Sequence, residues 1–178
     1  MYKRQDLSEF TDLRHLTIDK SSEVDLTDLK HPDLDTLVVR SRKITIGESL
    51  PPNLERALFS RGIPGPLNAL ATTKLRELIL TDMSSAVDMA ELAGCKNLTT
   101  LHLAFHGWRA DRTQNLRALH DVPLEEIGVS SGFGLKDLIG HPTLRQVSCY
   151  SNNLMLPSEL QPLARSAMSP REKAFDLS

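Results

Sequence analysis

Two histidines four residues apart, His102 and His106, stand in the stretch LTTLHLAFHGW beside Phe105 and Trp108, the only tryptophan of the chain. On one helical face such a pair could hold a zinc ion, but the glutamate of an HExxH pattern and a third ligand at suitable spacing are missing. The segment also reads as strand end and loop, so neither a metal nor a cofactor is expected. Gly132-Phe133-Gly134 lacks the third glycine, the lysine and the hydroxyl of a phosphate loop, and reads as a turn. No GxSxG elbow occurs, and Asp, His and Ser residues form no pattern that implies a triad. Asp19, His15 and His102 are the acid–base groups that a rival, enzymatic reading would use.

Those residues need elements to position them. The chain has 178 residues, which suits one domain with a continuous core. Its 21 basic and 23 acidic residues give a net charge of -2. That balance argues against a nucleic-acid or membrane-surface binder, which usually carries a basic excess. No run approaches the roughly 18 apolar residues of a membrane span, and MYKRQDLSEF has no apolar stretch after its basic residues. A cytoplasmic protein is expected. Two cysteines, Cys95 and Cys149, are too few for a disulfide framework.

Cutting the chain before each LxxLxL-like hexamer exposes seven copies: LRHLTI from Leu13, LDTLVV from Leu34, LERALF from Leu54, LRELIL from Leu75, LTTLHL from Leu98, LEEIGV from Leu124 and LRQVSC from Leu144. Successive starts differ by 21, 20, 21, 23, 26 and 20 residues. Between them a second pair recurs with a spacing of three: Leu26 and Leu29, Leu67 and Leu70, Met89 and Leu92, Leu116 and Leu119, Leu135 and Leu138. Three apart means one helical face, so each unit predicts a short strand followed by about two turns of helix or 3₁₀ helix. His31-Pro32, Val122-Pro123 and His141-Pro142 would close those helices, because a residue before proline is pushed out of the α region.

The period and the pattern resemble the leucine-rich-repeat family, whose unit reads LxxLxLxxNxL. The resemblance covers roughly residues 7–163, and copy seven carries it best: Leu144, Val147, Cys149, Asn152 and Leu154 fill the five marked positions. Other copies lack the asparagine; Thr81-Asp82-Met83 stands there in copy four. The resemblance implies a single α/β domain over residues 1–178. It would be a right-handed solenoid bent into a horseshoe arc, with a parallel sheet on the concave face and short helices or 3₁₀ turns on the convex face. Residues 1–12 would be a partial repeat or N-terminal cap, and residues 164–178 a mobile tail. The phrase LPPNL at Leu50 to Leu54 resembles the proline-bearing repeats of bacterial effectors that carry ubiquitin-ligase domains. Those need a further large domain with a catalytic cysteine, for which this chain has no room.

With the marked leucines inward, alternation sends positions three, five and seven of each copy to the concave face. The middle column then reads Thr17, Val38, Leu58, Ile79, His102, Gly128 and Ser148. Val38, Leu58 and Ile79 are expected to stack as an exposed apolar stripe, and His102 to lie on the surface. Arg40 and Arg56 would lie on one side of the stripe, with Glu77, Glu126 and Tyr150 further along; Phe105, Trp108 and Arg109 would rise beside it from the long loop after strand five, or else Phe105 and Trp108 would pack internally with Phe133 under that loop. An apolar centre with arginine and aromatic anchors and a charged rim is what protein interfaces show.

His15 and His102 would lie four strands apart, about 19 Å at 4.8 Å per strand, too far to share a small active site. Arg40, Arg42, Lys43, Arg56 and Arg61 form a local basic set without interleaved aromatics, which fits an acidic protein partner better than nucleic acid. By resemblance the chain is a non-enzymatic protein-binding module. It is read as an immunity-type inhibitor that occludes a toxin or enzyme with the concave face or the Phe105–Arg109 loop; a scaffold or adaptor is the alternative. Oligomeric state is not fixed by the sequence.

Overall fold

Every one of the seven hexamers carries a β-strand that begins two residues after its first leucine. In the computed structural model, which describes residues 12–20, 22–83, 87–105, 115–130, 134–150 and 156–165, these strands are β1 (His15–Asp19), β3 (Thr36–Arg40), β5 (Arg56–Ser60), β7 (Glu77–Met83), β8 (Thr100–Phe105), β9 (Glu126–Val129) and β10 (Gln146–Cys149). They pair in parallel in chain order, and β11 (Ala164–Arg165) adds an eighth strand beside β10. The sheet is open at both ends, not a closed barrel.

Register follows the sequence pattern strand by strand. Leu16, Leu37, Ala57, Leu78, Leu101, Ile127 and Val147 are cross-strand partners in one row. From Leu37 to Val147 that row is sealed from solvent, as are Val39, Phe59, Leu80, Leu103 and Val129 one alternation further on. A one-residue slip would turn all of these leucines outward, so the buried face fixes the register.

Beyond the strands the crossings differ along the chain. Four are 3₁₀ helices where the spacing of three predicts them or reaches the next strand: η1 (Leu67–Thr72), η2 (Met89–Leu92), η3 (Leu116–Leu119) and η4 (Leu135–Leu138). A fifth, η5 (Gln161–Leu163), leads into β11. Asp88 caps η2 by accepting a hydrogen bond from the Ala90 amide at 3.0 Å. The residues three beyond Leu70, Leu92, Leu119 and Leu138, namely Thr73, Cys95, Val122 and His141, each donate their amide to that leucine's carbonyl at 2.9–3.2 Å. They form a buried column between the crossings.

Three features depart from the sequence reading. Leu26 ends a strand instead of starting a helix: β2 (Glu23–Leu26), β4 (Lys43–Ile46) and β6 (Pro64–Gly65) form a second parallel sheet of three strands. The alternation Val24, Leu26 and Ile44, Ile46, all buried, has the period of two that a strand needs. Ala164–Arg165, assigned above to a mobile tail, is paired as β11; residues 166–178 lie outside the described residues. Finally, Arg61 and Asp82, each seven residues after the first leucine of its copy, turn the chain with φ of 74° and 57°. These left-handed residues come one position before the place that asparagine takes in the LxxLxLxxNxL pattern.

Candidate functional site

The outer face of the large sheet, opposite the leucine core, is built from the odd columns of the hexamers. At its C-terminal half, β8 supplies His102, β9 supplies Glu126 and Gly128, β10 supplies Gln146 and Ser148, and Tyr150 follows β10 directly. His102, Gly128 and Ser148 are cross-strand partners. Gly128 leaves a gap in this row, and the Tyr150 side chain crosses it to hydrogen-bond Nδ1 of His102. A Cβ at position 128 would collide with both the Tyr150 hydroxyl and the His102 ring. The glycine is therefore what lets two side chains from non-adjacent strands meet.

The network continues through Glu126. Its Oε1 lies 3.8 Å from His102 Nε2 and accepts a hydrogen bond from Ser148 Oγ at 3.4 Å, while Gln146 Nε2 donates to Ser148 Oγ at 3.3 Å. Burial, then the negative charges of Glu126 and Glu77, pushes the Tyr150 hydroxyl well above its ordinary range, so it stays protonated and donates. Nδ1 of His102 is then the acceptor, and a neutral ring carries its hydrogen on Nε2, facing Glu126. Phenol, imidazole and carboxylate stand in the order of a nucleophile, its base and an orienting group. A phenol held neutral and an imidazole sealed from solvent at 0 % exposure favour a brace over a nucleophile.

The apolar stripe is not exposed as expected. Val38, Leu58 and Ile79 are each at 0 % exposure and pack on one another as a small second cluster, separate from the main core. His102, likewise expected on the surface, is buried. The sequence carries the reason: β3, β5 and β7 contain the uninterrupted runs LVV, ALF and LIL, the pattern of parallel strands buried on both faces. Thr36, Ser60 and Thr81, on the same face, are buried with them.

Comparison with known families, curated proteins and solved structures finds no match.

Other polar residues of the face remain accessible. Arg56 is exposed and its Nε lies 3.9 Å from Glu77 Oε2, while Glu77, Glu126, Gln146 and Tyr150 are partly exposed. Arg40 is partly buried and makes further polar interactions. Arg61 reaches to 3.6 Å from Asp19, and Lys43 pairs with Glu23 at 2.5 Å, so the basic set is divided among acidic neighbours. Phe105 closes β8 opposite Met83; Trp108 and Arg109 lie outside the described residues. His15 sits at the far edge strand, bonded through Nε2 to Thr17 Oγ1 at 3.0 Å and four strands from His102. Among the described residues no three His, Cys, Asp or Glu side chains converge on a metal position, and no helix is long and apolar enough to cross a membrane.

Alternation places Gly128, Ser148 and Gln146 on this face, but their part in the site was not read from the sequence. The available signal was a glycine inside a strand hexamer, LEEIGV, which marks close approach by another group. Cys95, in the buried column, has its thiol pushed up to about 11 by burial, as an inert core residue would.

Proposed function

We propose that the chain is a right-handed leucine-rich-repeat solenoid that binds a protein partner without catalysis, as an inhibitor of that partner. The observation that carries this reading is one row of the outer sheet face. His15, Thr36, Arg56, Glu77, Thr100, Glu126 and Gln146 are cross-strand partners, all polar, and all but Thr36 are at least partly exposed. Six strand steps of 4.8 Å give this row a length of about 29 Å, the scale of a macromolecular surface. Beside it on the same face lie the buried Val38–Leu58–Ile79 cluster and the His102–Tyr150 brace, both of which hold the row rigid and so reduce the ordering cost of binding.

Contact would be made by mixed charges rather than by an exposed apolar stripe, with Arg56 and Glu77 central. Capture from a native cell extract tests this with a charge exchange, Arg56→Glu with Glu77→Lys, which preserves net charge and the intramolecular pair. The wild-type chain should retain one protein stoichiometrically, the exchanged chain should lose it, and adding wild-type chain should lower that protein's activity. A partner held equally by both chains would sink the reading of this face. A partner whose activity is unchanged would leave an adaptor in place of an inhibitor.

A further inference from the structure

Among the described residues the large sheet ends at β1, which pairs with β3 on one side, and its core-facing Leu16 and Ile18, with Leu13, are partly buried, whereas the equivalent residues from Leu37 to Val147 are sealed. The direction of the backbone groups at this edge follows from the ladder. Arg14 accepts at its carbonyl from Thr36 and Lys20 donates its amide to Arg40, so even-numbered residues of the strand face β3. His15, Thr17 and Asp19 therefore aim both N–H and C=O at the open edge.

The sequence HLTID is complementary to itself when laid antiparallel. Centred on Thr17, the pairing sets His15 opposite Asp19 of the second copy and Asp19 opposite its His15, all as hydrogen-bonded pairs. Leu16 then meets Ile18 of the other copy on the core side, where both need cover. One step further, Arg14 would face Lys20, both exposed, and like charges end the ladder there. Among the described residues the opposite edge of the sheet, β11, has two residues and offers no comparable ladder. We propose that two copies of the chain associate through β1, antiparallel about a two-fold axis at Thr17, joining their large sheets into one. This is an isologous, closed contact, which stops at two copies.

The full chain can be tested by light scattering coupled to size exclusion over a concentration series. Wild type should show about twice 19.8 kDa at high concentration and fall toward 19.8 kDa on dilution. Thr17→Pro removes an outward amide without touching the β1–β3 ladder, and should give a monomer with the melting temperature of dilute, monomeric wild type. Asp19→Lys should weaken dimerisation about tenfold or more, and His15→Asp added to it should restore pairing with charges exchanged. Thr17→Cys should oxidise to a covalent dimer, since hydrogen-bonded antiparallel partners have Cα atoms about 5.5 Å apart, within disulfide reach. A wild-type chain that stays monomeric overturns the proposal, including the case in which deleting residues 1–11 uncovers a dimer. So does a dimer that Thr17→Pro leaves intact.

Discussion

Tyr150 and His102, 48 residues apart in the chain, are joined by a hydrogen bond that passes over Gly128, on a strand to which neither belongs. The bond links the fifth and seventh repeats directly across the strand between them, as the Arg61–Asp19 ion pair links the third and first. It closes a partly buried polar network, with His102 and Ser148 sealed from solvent, whose loss should be felt as a unit.

Gly128→Ala should destabilise the chain by about 1–3 kcal/mol, because the new Cβ displaces Tyr150 and leaves the buried His102 ring short of a partner. Tyr150→Phe should cost a similar amount, and the double variant little more than either. Urea unfolding of the four chains measures the coupling. Additive effects would mean that the two residues act separately.

The two faces of β7 provide a second test. Leu78→Ala, in the main core, should cost roughly 2–5 kcal/mol through lost burial and a cavity. Ile79→Asp, on the outer face, should cost more than about 3 kcal/mol, since its side chain is as fully buried and a carboxylate there loses its hydration. A thermal melt of Ile79→Asp equal to wild type would show the outer cluster to be open to water.

Acid should loosen the seam between η3 and η4. His141 is buried in the column otherwise filled by Thr73, Cys95 and Val122; its Nε2 donates to the Leu119 carbonyl at 3.0 Å and its Nδ1 accepts from the Thr143 amide at 3.4 Å. Both nitrogens are thus committed to the neutral ring. Burial, and then the nearby His120 with ring centroids 5.3 Å away, lowers the His141 pKa below 6.5. His120 itself donates Nε2–H to the Asp137 carbonyl at 2.6 Å. Of the other charged groups on these turns, Arg117, Asp121 and Lys136 are exposed and Asp137 is partly so.

With the folded pKa depressed, the unfolded chain binds more protons below about pH 6.5, so stability is full above that value and declines as pH falls toward the folded pKa. Melting temperatures between pH 7.5 and 5.5 should drop for wild type and drop less for His141→Val, which copies Val122. Equal slopes for both would place the pH dependence elsewhere.

Arg61→Gly should stabilise by about 0.5–1 kcal/mol, because glycine adopts the left-handed conformation of this turn without the clash that a Cβ brings. Its ion pair with Asp19 joins two exposed side chains and contributes at most about 1 kcal/mol. Asp82→Gly should gain less, since Asp82 also accepts the Ser60 hydroxyl at 3.1 Å. Guanidine unfolding of both variants checks the order.

The strands and their register were legible because a leucine row at fixed spacing has only one way to face inward. The outer face was harder to read. Alternation correctly placed Val38, Leu58 and Ile79 on it, but exposure depends on what lies beside and above each side chain, and the apolar runs LVV, ALF and LIL were the signal to weigh against an open stripe. The β2–β4–β6 sheet shows a similar limit: Leu26 fits both a spacing of three with Leu29 and an alternation with Val24, and a short segment cannot decide between them. The His102–Tyr150 contact joins residues far apart in sequence, and only the glycine between their strands hinted at it.

The measurement that bears most directly on protein binding through the polar row is a calorimetric titration of the captured partner into purified chain. The Arg56→Glu, Glu77→Lys exchange should weaken the affinity about tenfold or more while Gly128→Ala, remote from Arg56, weakens it less. An exchanged chain that binds as tightly as wild type would contradict binding through this face.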